Sequence, residues 1–486
     1  MTKTYTALLL GALLTSGASH AQTPVLIKDI NPTGSSNPGT YTCFGDVLYF
    51  LASDGIHGNE LWKSDGTEGG TMMVKDIVEG ADGSGVRYFF EIDGTIYFAR
   101  GADPSSLELW KTDGTGVGTQ QAIDFTQVDG LLSAQAFAKL GDRIFFAGRT
   151  AEEGKELWYT NGTVAGTQML MDIRPGSTGS FPEGLVQLQD QLIFTASTEG
   201  VGSELWATDG TPEGTYLLKD CYEGVGSSSP MYPTVAGGKL FFRAATGAQG
   251  DELWVTDGTT EGTLLVRDIQ PGPNTSFLGL FAVHNDLIHF RAYPSPGVNY
   301  IYESDGTFEG TQPLPQPAYD YNLAESLCSH NGWLYFTAFG DFNRQLWRTD
   351  GTAEGTEEIL YPGTTPLQPL STSYGISSCG GTLFFEANYI EEIGYELFVM
   401  DASNGMDAPD AIRGGLYPDP TSGRLQSSGL LTGSIISLYT TDGRLLLTNP
   451  AATILDVSAL PDGPYLARVT DAKGGVVLSQ LLLLQH

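Results

Sequence analysis

Aspartates recur at fixed places along this 486-residue chain, and they are the first side chains that could do chemistry. Six of them stand in copies of the motif DGTxxGT: Asp65, Asp113, Asp209, Asp257, Asp305 and Asp350. The chain carries 57 Asp and Glu against 24 Lys and Arg, a net charge of −33, and surplus carboxylates are the ligands that calcium prefers.

A structural turn explains the same motif more simply. Asn161 replaces the aspartate in the third copy, and no DxDxDG series supplies the further oxygens of a calcium loop. The Asp can accept a hydrogen bond two residues on, a glycine such as Gly66 can take a positive φ, and the threonines can close the hairpin. We therefore predict no cofactor and no metal residue, with calcium as the alternative left open.

Other candidate groups are four arginines near the ends of apolar strands, Arg100, Arg149, Arg243 and Arg291. They could receive a carboxylated or sulfated sugar, although an ordinary surface charge is the simpler interpretation. Acidic pairs are plentiful, so a glycosidase carboxylate pair stays open. The sequence has no nucleophile elbow, P-loop or dinucleotide fingerprint in a suitable context, and its histidines lack zinc spacing. We assign no catalytic or cofactor-binding residue.

The element that positions these groups is a repeat, whose first copy is ELWKSDGTEGGT at Glu60–Thr71. Its aromatic residue returns at steps of 48, 48, 48, 48, 48, 45 and 51, as Trp62, Trp110, Trp158, Trp206, Trp254, Tyr302, Trp347 and Phe398. A fixed period near 48 indicates a repeat architecture. An aromatic residue at one fixed place predicts packing between repeats rather than sugar stacking.

Each period divides into four short β-rich segments separated by Gly, Asp, Asn and Ser. The second segment, such as VLYFL at Val47–Leu51, is apolar on both faces, which is typical of a strand covered on both sides. Four-stranded units stacked in a ring are a β-propeller. The unit after Glu396 lacks a fourth strand, and the leading VLIKDI can supply it and remove the free sheet edges.

We therefore predict an all-β, eight-bladed β-propeller over residues 22–401. Seven blades is the alternative if the sixth unit, with its insertion at Gln312–Tyr319, forms no whole sheet. The uniform DGTxxGT hairpins should lie on one face, and the loops between second and third strands, which differ from one another, on the opposite face. We call the latter the variable face and expect any binding site there, since function is commonly carried by loops on a rigid scaffold.

Residues 25–401 resemble the ELWxxDGT-repeat family of secreted bacterial proteins, and the repetition of the motif is specific. The resemblance implies a propeller-like domain in exported multidomain proteins. It brings no established chemistry.

The N-terminus, residues 1–21, has one Lys, an apolar run from Ala7 to Leu14 and small residues at Ser19 and Ala21. This pattern predicts a secretory signal peptide cut before Gln22. The run is too short to span a bilayer and no longer one follows, so we predict no transmembrane segment. The acidic balance disfavours nucleic acid as a partner.

Four cysteines are present, and an exported chain permits disulfides with three possible pairings. They are Cys43, Cys221, Cys328 and Cys379. Buried free thiols are the favoured interpretation, because a free cysteine readily occupies a core position.

The composition changes after the repeats. Residues 402–415 are rich in Gly, Asp, Pro and Ala and indicate a linker. Residues 416–486 alternate strands with DG turns, which predicts a small β-sandwich.

This tail resembles the type A C-terminal sorting domain of the type IX secretion system of Bacteroidota. The matching residues are Tyr417, Pro418, Pro420, Tyr439, Asp442, Gly443, Arg444, Asp456, Val457, Ser458, Leu460, Gly463 and Tyr465. Asp419 stands where Asn is usual, and the end SQLLLLQH lacks the usual basic residues. The resemblance implies Sec export, passage across the outer membrane, removal of the tail, and release or anchoring at the cell surface.

The sequence thus predicts a secreted or surface-attached propeller that works by binding an extracellular glycan or protein, with the type IX machinery as partner through residues 416–486. The ligand itself is not indicated. A carbohydrate-active enzyme with acidic residues near the central channel and a structural surface-layer component are the alternatives.

Overall fold

The computed structural model describes most of the repeat region and parts of the tail. The described residues are 24–92, 94–101, 108–315, 322–339, 344–359, 375–389, 393–400, 415–419, 424–428, 435–440, 444–450, 454–457, 460–461, 463–470 and 476–484. The predicted signal peptide (1–21) and residues 402–414 of the predicted linker lie outside them, as do residues 316–319 of the insertion and Pro420, Asp442, Gly443 and Ser458 of the tail motif.

The repeats form eight four-stranded antiparallel sheets, which are the eight blades of a propeller. Blades 1 to 4 comprise β2 (Gly39–Phe44), β3 (Val47–Ser53), β4 (Asn59–Ser64), β5 (Met72–Lys75); β6 (Arg87–Ile92), β7 (Thr95–Arg100), β8 (Glu108–Thr112), β9 (Gln120–Ile123); β10 (Ser133–Leu140), β11 (Arg143–Arg149), β12 (Lys155–Thr160), β13 (Gln168–Met171); and β14 (Glu183–Leu188), β15 (Gln191–Thr198), β16 (Gly202–Thr208), β17 (Tyr216–Lys219).

Blades 5 to 8 follow the same order, with one exception in the last. They comprise β18 (Met231–Ala236), β19 (Lys239–Thr246), β20 (Gly250–Thr256), β21 (Leu264–Arg267); β22 (Gly279–His284), β23 (Leu287–Ser295), β24 (Val298–Ser304), β25 (Gln312–Pro313); β26 (Asn322–His330), β27 (Trp333–Phe339), β28 (Arg344–Thr349), β29 (Glu357–Ile359); and β30 (Ile376–Cys379), β31 (Thr382–Ala387), β32 (Glu396–Met400) with β1 (Pro24–Lys28). The described residues contain one 3-10 turn, Phe125–Gln127, and no α-helix.

The ring closes as predicted, because β1 is the fourth strand of blade 8. Pro24 pairs with Met400, Val25 with Val399 and Leu26 with Phe398. The sixth unit forms a whole sheet with the two-residue strand β25, so the seven-bladed alternative is wrong. First strands of consecutive blades contact one another around the whole ring, including β30 with β2, which makes them the inner strands.

Within the described part of the propeller, the buried side chains form eight clusters, one at each junction between neighbouring blades. At the closing junction, Leu48, Phe50 and Trp62 of blade 1 pack on Phe384, Leu397 and Val399 of blade 8. The repeated aromatic residues lie in these clusters, so the prediction that they pack between blades is confirmed. The second strands are buried on both faces, with Leu48, Phe50 and Ala52 fully enclosed.

The expectation of free thiols is wrong for two of the four cysteines. Cys43 and Cys379 form a disulfide between β2 and β30, the inner strands of blades 1 and 8. Ring closure explains the pairing, because it brings two equivalent repeat positions, 336 residues apart, onto adjacent strands. Cys221 and Cys328 are free, and burial raises the pKa of their thiols to about 12 and about 11.

The chain divides between residues 401 and 402 into two compact units. The second unit contains two antiparallel sheets, β33 (Gly415–Asp419), β34 (Arg424–Ser428) and β37 (Ile454–Asp456) in one, and β36 (Leu445–Pro450), β35 (Ile435–Thr440), β38 (Gly463–Thr470) and β39 (Val476–Leu484) in the other. Ile436, Leu438 and Val457 are buried there. Within the described residues, no helix is long and apolar enough to cross a membrane.

Candidate functional site

The DGTxxGT hairpins are closed by their own side chains. Asp65 Oδ1 accepts hydrogen bonds from the Thr67 amide at 2.9 Å and the Thr67 hydroxyl at 2.7 Å. The Thr67 hydroxyl accepts from the Gly70 amide, and Thr71 Oγ1 donates to the Thr67 carbonyl. These bonds to Thr67 lower the pKa of Asp65.

The same bonds recur in the other copies, and Asn161 accepts them too, from the Thr163 amide at 3.2 Å and the Thr163 hydroxyl at 2.8 Å. The predicted structural turn is therefore confirmed. In the described part of the chain, no group of three or more His, Cys, Asp or Glu side chains is arranged to hold a metal ion.

The glutamate of ELW has a structural role that sequence reasoning missed. Glu204 is fully buried and accepts bonds from the Cys221 amide at 2.8 Å and from the amide and hydroxyl of Ser228 at 2.6 and 2.5 Å. Burial raises its pKa, and these hydrogen bonds oppose the rise. Glu60, Glu156, Glu252 and Glu396 accept from the same connection in their own blades. The sequence contains a sign of this contact, because a Ser follows the Glu of ELW by 24 residues in four of the repeats.

These buried carboxylates fix the path by which the chain crosses the variable face. In the connection to blade 4, the Ser180 and Phe181 amides donate to the carbonyl of Lys155, where the third strand of blade 3 begins. The Ser197 amide, near the end of the second strand of blade 4, donates to the Ser180 carbonyl. The connections therefore lie beside the loops between second and third strands, as predicted for this face.

Bulky aromatic residues stand on this face in a backbone conformation that disfavours them. Phe181 and Phe277 follow the buried serine directly and have φ of 53° and 47°, with 45% and 61% of their surface exposed. Tyr88 and Tyr232, three positions further along the repeat, both have φ of 56° and are 43% and 45% exposed. Left-handed backbone is costly for bulky side chains, and such strain concentrates at functional sites.

The four candidate arginines separate into two kinds. Arg100 is bound by Glu108 at 2.7 Å and lies against Trp110, and Arg149 is exposed at the end of β11. Arg243 and Arg291 lie over tyrosine rings, at 5.3 Å from the Tyr232 centroid and 5.6 Å from that of Tyr293, and neither has a carboxylate as close as Glu108 is to Arg100 among the described residues. The variable face thus combines exposed rings and guanidinium groups on blades 5 and 6.

The opposite face contains a small cavity of about 60 Å³ between blades 6 and 7. His284 and His289 line this cavity, with their ring centroids 5.5 Å apart. Their spacing in the sequence is not that of a zinc site. Burial and the nearby His284 lower the pKa of His289 to about 4, so this imidazole is neutral at physiological pH. A cavity of this size has room for water but not for a large ligand.

Two buried carboxylates in blade 8 bear on the enzyme alternative. Glu386 and Glu396 are 1% and 0% exposed, and burial raises their pKa values to about 8 and about 7, with the Glu396 charge adding to the rise at Glu386. Glu396 is held by Ile30 and Ser36, whereas the Glu386 oxygens have no hydrogen-bond partner among the described residues. Both are closed off from solvent, so this pair cannot reach a polysaccharide.

A search of protein-family models finds no match to this chain, and a search of curated proteins finds none either. Solved structures do match. The designed protein Ika8 is 15% identical, with 78% of this chain and 99% of that chain covered and a TM-score of 0.47. PorZ, a surface component of the type-IX secretion system of Porphyromonas gingivalis, is 14% identical over 91% of this chain and 68% of that chain, with a TM-score of 0.40. The β-propeller domain of the trilobed protease of Pyrococcus furiosus is 9% identical over 68% and 99%, with a TM-score of 0.38.

Proposed function

We propose that this protein is an exported propeller that binds an extracellular partner through its variable face. The proposal rests on a contrast between the two faces of the propeller. On the hairpin face, the polar groups of the repeated turns satisfy one another, whereas on the variable face large rings are exposed at a backbone cost. A ring that neither packs in the core nor relaxes its own backbone is better explained by an interaction with another molecule.

The enzyme alternative has less support. The carboxylates that burial perturbs most strongly are enclosed, and those of the ELW motif hold the blade connections. Binding is therefore the function that the geometry supports best.

Two variants matched to the repeat test binding on this face. Phe277→Asn removes an exposed ring and introduces the residue that blade 1 has at the same place, Asn37, with φ of 46°. Phe308→Thr removes a ring that is 59% exposed on the hairpin face and introduces the residue of blade 5, Thr260. The full chain and both variants would be applied to arrays of extracellular glycans and surface proteins. We expect Phe277→Asn to weaken binding and Phe308→Thr to leave it unchanged. If saturable binding is unaffected by Phe277→Asn but lost in Phe308→Thr, the site lies on the hairpin face and the proposal is contradicted.

Delivery is a second part of the proposal. We infer from the sequence resemblance that residues 416–486 direct the chain through type IX secretion to the cell surface or the medium. The test is fractionation of a type IX-competent bacterium producing the chain with and without these residues. Periplasmic retention of the shortened chain is expected, and equal surface delivery of both would contradict a sorting role.

A further inference from the structure

A strip of three aromatic rings and two guanidinium groups crosses blades 5 and 6 on the variable face. We define the cation–aromatic strip as Tyr232, Arg243, Phe277, Tyr293 and Arg291. Arg243 lies over Tyr232 and reaches the carbonyl of Leu278, the residue after Phe277, at 3.5 Å. Phe277 meets Tyr293 edge to face at 6.0 Å, and Arg291 lies over Tyr293. Each member therefore contacts or adjoins the next.

The two arginines occupy one repeat position in consecutive blades, where the repeat itself does not require a cation. Each pairs with the central residue of its ELW motif, Arg243 with Leu253 and Arg291 with Ile301. The other blades place uncharged or acidic residues there: Leu51, Ala99, Ala147, Thr195, Thr337 and Glu386. The blade junction uses a donor at this position, but a neutral one is sufficient, because Thr195 Oγ1 donates to the Pro230 carbonyl of blade 5 at 3.1 Å. The junction therefore does not explain the charge of the two arginines.

Contacts to the next blade hold both guanidinium groups in place. Arg291 donates to the carbonyl of Ala324 in blade 7 at 2.9 Å, and Arg243 approaches that of Leu278 in blade 6. Asp251 lies 3.8 Å from Arg243, and both side chains are partly exposed, so this ion pair is solvated and weak. Among the described residues, no carboxylate lies within ion-pair distance of Arg291. The cations are thus positioned before a ligand arrives, which lowers the entropic cost of binding.

Phe277 presents the most exposed ring of the strip and has φ of 47°. At the same place blades 1, 2 and 5 have Asn37, Gly85 and Ser229, which are small or polar, whereas blade 4 has a second ring, Phe181, with φ of 53°. The ring is therefore retained against the local backbone preference, which points to contact with a ligand.

We propose that the cation–aromatic strip binds a carboxylated sugar of the uronic-acid type, with the carboxylate on a guanidinium group and the pyranose face on an adjoining ring. Arginine recognises carboxylates through paired hydrogen bonds, and exposed aromatic rings offer an apolar surface to sugar rings. This inference rests on the proposed function of the variable face and adds the class of ligand.

The charge of the whole protein favours a ligand with few charges. A net charge of −33 repels dense polyanions such as nucleic acids, and physiological salt screens that repulsion only beyond about 8 Å. A sugar with isolated carboxylates pairs with the two local cations and adds little long-range repulsion. A peptide of acidic residues alone, such as polyglutamate, is the competing occupant, and its side chains offer no apolar ring face for Phe277 to contact.

The experiment measures the affinity of the full chain for trigalacturonate, for its methyl ester, and for a polyglutamate peptide, by calorimetry at two salt concentrations. Four variants use residues that other blades already carry at the same places: Arg243→Thr, Arg291→Thr, Tyr232→Thr and, as the matched control on the hairpin face, Phe308→Thr. Phe308 is 59% exposed and its ring centroid lies 4.8 Å from the Arg267 guanidinium group, and blade 5 has Thr260 at its place. Blade 1 has Thr40 at the place of Tyr232, with φ of 55°. Melting curves of each variant confirm folding.

We expect trigalacturonate to bind, more weakly at high salt, and its methyl ester to bind at least about tenfold more weakly. Each arginine variant should lose about tenfold in affinity for the acid and little for the ester. Tyr232→Thr should weaken the binding of both ligands, whereas Phe308→Thr should leave both unchanged.

Equal affinity for acid and ester, indifference to both arginine variants, or tighter binding of polyglutamate would overturn the inference. Binding of a neutral glycan or a protein that Phe277→Asn abolishes, without trigalacturonate binding, would overturn the carboxylated-sugar assignment and support the proposed function. A variable face that binds nothing on the arrays or in calorimetry would overturn both.

Discussion

The buried carboxyl group of Glu386 should make the propeller less stable as the pH rises, and Glu386→Gln should remove that loss. Burial, with the Glu396 charge as a smaller cause, raises the pKa of Glu386 from 4.5 to about 8 in the folded chain. Between these values the unfolded chain has already released the proton and the folded chain has not, so rising pH favours unfolding. One pKa unit corresponds to about 1.4 kcal/mol. The loss therefore reaches about 3 kcal/mol by pH 7 and about 5 kcal/mol above pH 8.

The measurement is urea unfolding of the wild-type chain and Glu386→Gln from pH 4.5 to pH 8.5, followed by tryptophan fluorescence. All seven tryptophans lie between residues 62 and 347, so the signal reports the propeller. The two proteins should diverge steadily with pH, because the carboxylates other than Glu396, whose charge acts on Glu386, contribute equally to both. Glu91→Gln removes an exposed charge and serves as the control for net charge. Parallel pH profiles for wild type and Glu386→Gln would refute the reasoning.

Three further predictions concern the ring and its turns. Replacing Cys43 and Cys379 by Ser should lower the free energy of unfolding by about 2–5 kcal/mol, since their disulfide closes a loop of 336 residues; Cys221→Ser is the control, and an equal effect of reductant on all three proteins would contradict it. Glu252→Ala should lower the free energy of unfolding by about 2–3 kcal/mol and speed amide exchange at Ile269, whose amide donates a hydrogen bond to Glu252 at 2.8 Å. An unchanged melting temperature would show that the connection needs no buried carboxylate. Chelation should leave the melting temperature unchanged, because Thr67 and its equivalents already bond the hairpin aspartates; a clear drop would revive the calcium interpretation.

Much of the fold could be predicted from the sequence because one period carries several independent signals. The spacing of Trp62 and its equivalents gave the number of blades, and the apolar second strands indicated sheets covered on both sides. The missing fourth strand after Glu396 and the leading VLIKDI together predicted the closure that Pro24 and Met400 make.

The disulfide and the cation–aromatic strip could not be predicted in the same way. The preference of free cysteine for core positions decided the interpretation of Cys43 and Cys379, whereas their actual pairing depends on which blades ring closure makes adjacent. The sequence singled out Arg243 and Arg291 together with Arg100 and Arg149. Only the positions of Tyr232, Phe277 and Tyr293 on the folded face distinguish the first two.

Because β1 closes the ring, the closing junction between blades 1 and 8 is buried only after the whole propeller has been synthesised. A nascent chain that emerges N-terminus first must keep β1 unpaired until β32 is available, because its partners are Leu397 to Met400. Until then, Phe50 and Trp62 of blade 1 have no neighbour at the closing junction, and a product that ends before Glu396 never covers them. Such fragments expose sheet edges and aromatic side chains, which are the features that quality-control proteases and chaperones bind. The last blade is thus what covers these side chains, and the Cys43–Cys379 disulfide links the two blades that meet at the closing junction.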